Sequence, residues 1–75
     1  MIIRSQNKKE LHNLDRISNI RVFQLNNGEA IVEVNWQHSI GRYSTEEKAV
    51  KVLDIICEKA FVQANVFQMP QDSEV

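Results

Sequence analysis

The chain has one cysteine, Cys57, so no disulfide within it can staple the fold. Its two histidines, His12 and His38, stand at no i+3, i+4 or His-x-His spacing from each other or from Cys57. No metal and no cofactor is therefore expected. The two glycines, Gly28 and Gly41, are too isolated to build a loop that cradles phosphate. The only Trp and Tyr, Trp36 and Tyr43, are too few and too far from the lysines to suggest a stacking platform for single-stranded nucleic acid. No apolar run approaches the length of a membrane span. No apolar stretch follows the charge of Met1-Ile2-Ile3-Arg4 as it would in a signal peptide. A soluble, cytoplasmic protein with no membrane partner is expected, and the lone Cys57 suits a reducing compartment.

With 75 residues there is room for one domain, placed at residues 1–69 with a flexible tail at 70–75. A chain this short buries a modest core, and oligomerisation is a common remedy when disulfides and metals are missing. Charge is uneven along it. Residues 1–28 carry five basic side chains against two acidic, and residues 29–75 carry four against eight. Arg4, Lys8, Lys9 and Arg16 are the candidate nucleic-acid contacts, with Arg21 set aside for an ion pair. So small a basic excess, in a chain whose pI is about 6.1, leaves nucleic acid as the alternative partner.

One long helix organises the chain. Ser44-Thr45-Glu46-Glu47 reads as a capping box with acidic residues in the first turn. The helix is expected to run from Ser44 to about Ala64, with Asn65 as a left-handed cap. Ala49, Val52, Leu53, Ile56, Cys57, Ala60 and Ala64 fall on one stripe, which marks the face toward a core and makes Cys57 a buried thiol. Ile55 and Val62 stack on the polar side. They are either tolerated surface aliphatics or the seam of a dimer.

The rest reads as strands. Met1–Ser5 and Glu10–Leu14 form a first hairpin, with Ile3, Leu11 and Leu14 turned inward and Lys8 and Lys9 at its tip. Ile17–Leu25 and Glu29–Trp36 flank Asn26-Asn27-Gly28. A two-residue turn would place polar groups on the apolar face. A three-residue loop sets Val22 opposite Val32, Ile20 opposite Val34, Arg21 opposite Glu33 and Phe23 opposite Ile31, and this register is expected. Trp36 then joins the face that meets the helix, while Phe23 and Ile31 lie on the far face as a second candidate interface. Ser39–Tyr43 forms the next strand, where Gly41 signals a bulge or close backbone approach. Val66–Met69 forms a short edge strand or anchor ended by Pro70.

The expected fold is α+β, an antiparallel meander of four to five strands with one C-terminal helix on one face. A pleckstrin-like partial barrel with a terminal helix is the alternative. The carboxylate pairs Glu46/Glu47 and Asp54/Glu58 are capping and solvating groups, and nothing converges in a cleft as an enzyme requires. The expectation is a small non-catalytic interaction module with no small-molecule substrate, partnered by its own copy or by another protein.

Several segments carry a resemblance. They are Ile2-Ile3-Arg4-Ser5-Gln6, Asn13-Leu14-Asp15, Gly41 through Ala49, Val52-Leu53-Asp54 and Val66 through Val75. Together they resemble a small family of proteins encoded by Gram-positive bacteria, their phages and integrated elements. The match is weakest in the centre of the chain, and similar sequences often have a longer stretch near Gln63 to Asn65. The family has no assigned activity, so the resemblance implies no site residues.

Overall fold

The computed structural model describes all residues, 1–75. Six strands form two three-stranded sheets. The first contains β1 (Ile2–Arg4), β2 (Leu11–Asn13) and β6 (Val66–Gln68) in the order β2-β1-β6. The second is an antiparallel meander of β3 (Ile20–Gln24), β4 (Ala30–Val34) and β5 (His38–Tyr43). Helix α1 (Glu46–Phe61) packs across β3, β4 and β5. The class is α+β with the helix toward the C-terminus, as expected, but the strands divide between two sheets. β6 returns after the helix to lie parallel to β1, with Ile3 beside Phe67.

The central hairpin has the register that its side chains favour. Ile20 pairs Val34, Arg21 pairs Glu33, Val22 pairs Val32 and Phe23 pairs Ile31. Its three-residue loop closes with the Leu25 N–H donating to the Glu29 carbonyl at 2.7 Å, and Gly28 is left-handed at φ 91. A Cβ built at Gly28 would meet nothing within 4 Å, so only the backbone requires glycine there. Gly28→Ala is expected to cost about 1–2 kcal/mol. An unchanged urea midpoint in this variant would refute the loop geometry.

Val32 and Val34 are buried beneath Ala49, Val52 and Ile56 of the helix. Trp36 departs from expectation and stands 63% exposed. β4 ends at Val34, and both Asn35 (φ 54) and Trp36 (φ 70) adopt left-handed conformations. That turn swings the indole onto the opposite face, where the Arg21 guanidinium lies 5.0 Å from its ring centroid. In β5 the register shifts, so that Ile40 is an extra residue beside Gly41. A Cβ on Gly41 would lie 3.0 Å from both Met69 Cε and the Tyr43 ring, which is the close approach expected of this glycine.

In the first sheet the inward row is His12, Ile3 and Phe67, because Ile3 pairs with both of the others. Strand alternation then turns Leu11 outward, where it is 69% exposed rather than buried. The edge of β5 is capped by the first hairpin. The Gln6 N–H donates to the Ile40 carbonyl, and the Gln6 side chain bonds both the N–H and the carbonyl of Arg42.

The helix begins one residue later than the capping box implies. Thr45 is the N-cap, and its hydroxyl accepts from the Lys48 N–H at 3.2 Å. The Ser44 N–H instead donates to Asp72. The stop also comes earlier, at Val62, with Gln63 (φ 57) as the left-handed residue in place of Asn65. Gln63 N–H bonds Ala60 and Ala64 N–H bonds Lys59, the paired closure of a Schellman motif.

Residues 70–75, expected as a flexible tail, are docked. Asp72–Glu74 forms a 3₁₀ turn, and the Tyr43 hydroxyl donates to the Pro70 carbonyl at 2.8 Å. Val75 packs against the core. The Lys48 ammonium donates to the Asp72 carbonyl at 3.1 Å.

Candidate functional site

Two features stand out from this frame. The first is the end of α1. A sixteen-residue helix is about 24 Å long. The longest strand beneath it, β5, has six residues and spans about 20 Å. The helix therefore overhangs. Ala49, Val52 and Ile56 are buried, while Cys57 and Ala60, on the same stripe, emerge from the sheet and are exposed. Cys57 is thus a solvent-facing thiol, contrary to the expectation of a buried one. Phe61 is 87% exposed, Val62 67% and Val66 63%, and Asp54, Cys57, Glu58, Lys59, Phe61 and Val62 line a shallow groove at this end. Ile55, the expected companion of Val62, is half-buried. β6, which follows at once, is an unpaired edge of its sheet.

The second expected apolar surface is less free. Ile31 is half-buried, and the Arg21 guanidinium lies 5.2 Å over the Phe23 ring while its Nε donates to Glu33 at 2.8 Å. That ion pair was legible in the sequence. The stacking of one arginine between Phe23 and Trp36 was not, because it depends on the left-handed turn at Trp36.

The basic residues do not converge on one patch. Arg4 Nε donates to the Lys8 carbonyl at 3.1 Å, which holds Arg4 beside the first hairpin's tip with Lys8 and Lys9. Arg16 lies on the 3₁₀ turn after β2, at the opposite end of that hairpin.

The other feature is a polar cluster that sequence spacing did not reveal. Glu10 and His12 sit two residues apart, and an extended chain places both on one face. Ser5 fixes Glu10 twice. The Ser5 N–H donates to the Glu10 carbonyl at 3.0 Å, and its Oγ accepts from the Glu10 N–H at 3.1 Å. His38 arrives from the second sheet at the start of β5. Glu10 Oε1 lies 2.9 Å from His38 Nε2 and 3.3 Å from His12 Nε2. The two imidazole centroids are 5.2 Å apart at 52°. The hydrogen bonds from His38 and then from His12 hold the Glu10 carboxyl below the ordinary carboxylate range. The Glu10-x-His12 spacing was visible in the chain. Its third member was not, because it lies on another sheet.

No helix is long and apolar enough to cross a membrane. Comparison with protein-family models, curated proteins and solved structures finds no match to this chain.

Proposed function

We propose that the chain is a small non-catalytic interaction module that self-associates through the overhanging end of α1. The observation that supports this reading is Phe61 standing almost wholly in solvent, with the exposed Val62 beside it on the same groove. Isolated apolar side chains on a surface need no explanation, but a phenyl ring that lines a groove with Cys57 and Val62 at a helix end does. Burying a side chain of this size is worth about 1.5–3 kcal/mol. A two-fold interface would use each residue twice.

The core also leaves a role for a second copy. With few fully buried side chains and no disulfide, further apolar burial is the available source of stability. Ile55 would then border the seam, and Phe23 and Ile31 would lie outside it. A host or element-encoded protein seated on the same patch is the other form of this reading. Weak nucleic-acid binding through Arg4, Lys8, Lys9 and Arg16 has less support, since these residues are divided between two ends of one hairpin.

Light scattering over a concentration series is expected to show a dimer. Phe61→Lys with Val62→Lys should raise its dissociation constant by at least about a hundredfold while preserving the circular dichroism spectrum. A wild-type protein that stays monomeric at every concentration would sink self-association.

A further inference from the structure

We propose that Glu10, His12 and His38 form a binding site for a divalent transition metal, with Zn²⁺ as the natural occupant. This inference does not depend on the self-association reading. The donor atoms have converged: no two of Glu10 carboxylate oxygen, His12 nitrogen and His38 nitrogen lie more than 4.8 Å apart. Around a tetrahedral zinc, with bonds of about 2.0–2.1 Å, neighbouring donors stand about 3.3 Å apart. The two carboxylate–imidazole separations, 2.9 and 3.3 Å, are already of that size. The two imidazole nitrogens, at most 4.8 Å apart, would close toward the same spacing as the rings turn to enclose an ion.

The donor set selects the class of metal. Two imidazole nitrogens and one carboxylate suit zinc, cobalt or nickel, whereas calcium and magnesium demand a shell of oxygens. Each Nε2 that now faces the carboxylate gives up its proton on binding. A neutral ring shifts its single proton from Nε2 to Nδ1, and a cationic ring releases one to solvent and keeps the other at Nδ1. His38 and Glu10 are well exposed, so the fourth position opens to water or to a side chain from a partner.

The placement supplies a reason for the site. His12 belongs to the first sheet, with Glu10 just ahead of its strand, and His38 to the second, so an ion there would tie two sheets that share one small core. Short domains often use metals in this way. The Ser5 contacts fix the backbone of Glu10, and pairing with Ile3 fixes that of His12. Both ligands on this side are held in place before the ion arrives.

Untagged protein, stripped with chelator, is titrated with Co²⁺ while its visible absorption is followed, and Zn²⁺ is then used to displace it. One equivalent should bind, and zinc should raise the melting temperature by at least about 5 °C. His38→Gln lies on the surface and leaves the core intact. It and Glu10→Gln should each weaken binding at least about tenfold and abolish the thermal shift. Absence of saturable uptake by the wild type at micromolar metal would overturn the proposal. Equal affinity in both variants would also overturn it, by placing the ion elsewhere.

Discussion

Ile3→Ala is expected to lower the unfolding free energy by about 2–5 kcal/mol. Ile3 is wholly buried and sits at the centre of the His12–Ile3–Phe67 row, the only inward row that the three-residue strands of the first sheet provide. It belongs to the same core cluster as Val34, Ile40, Tyr43 and Met69. Truncating it removes the one fully buried side chain that the strands of the first sheet contribute to that core. A domain of this length is typically held by about 4–11 kcal/mol. The loss would therefore be a large share of the total stability. Urea denaturation by tryptophan fluorescence and by circular dichroism measures it. A change below about 1 kcal/mol would mean that the first sheet is not held by this residue.

Removal of residues 70–75 should also destabilise the fold, because Tyr43 is buried and its hydroxyl has the Pro70 carbonyl as partner. Leaving that donor unpaired costs about 1–3 kcal/mol, before the lost packing of Val75 is counted. The effect has an internal control. Tyr43→Phe should cost about 1 kcal/mol in the full chain and be neutral or stabilising in the truncated one. Equal effects in the two backgrounds would show that the tail does not engage the phenol. Burial pushes the Tyr43 phenol upward, with the charges of Asp72 and Glu74 adding to it, so ionisation of this group stays out of reach at neutral pH.

The docked tail also predicts a pH dependence. The Ser44 N–H, and then Lys48, hold the Asp72 carboxyl below its ordinary value of 3.8. A carboxylate whose folded value is depressed stabilises the fold above its unfolded value, and that contribution disappears as pH falls through the folded value. Acid below the ordinary Asp range should therefore loosen the tail. Asp72→Asn should flatten that part of the stability profile, and an unaltered profile in this variant would count against the contact.

How much of this was legible in the chain follows from where the information lies. The hairpin register was readable because Arg21/Glu33 and the paired valines agree on only one alignment over five residues of strand. The start of the helix was readable to within one residue, since Thr45 and Ser44 offer equivalent hydroxyls and the tail takes the Ser44 N–H. The first sheet was not readable as such. Strands of three residues carry too little periodicity to fix a face, so hydrophobicity alone pointed Leu11 inward where pairing with Ile3 puts His12. The overhang of α1 was hidden for a different reason. The stripe continues past Ile56, and only the length of the underlying strands determines where burial ends. The cluster at Glu10 needed a long-range approach of His38 that no local pattern encodes.

The parallel pairing of β1 with β6 has a kinetic consequence. β3, β4, β5 and α1 are joined by short connections, so their contacts can form while the chain explores only local arrangements. The first sheet is different, because Ile2 must find Val66 across nearly the whole chain. The entropy of closing so long a loop must be met before any contact rewards it. The meander and helix are therefore the natural nucleus, and β6 is the last piece to arrive. During synthesis β1 keeps a free edge until β6 leaves the ribosome, exposed for that interval to whatever other strand it meets first.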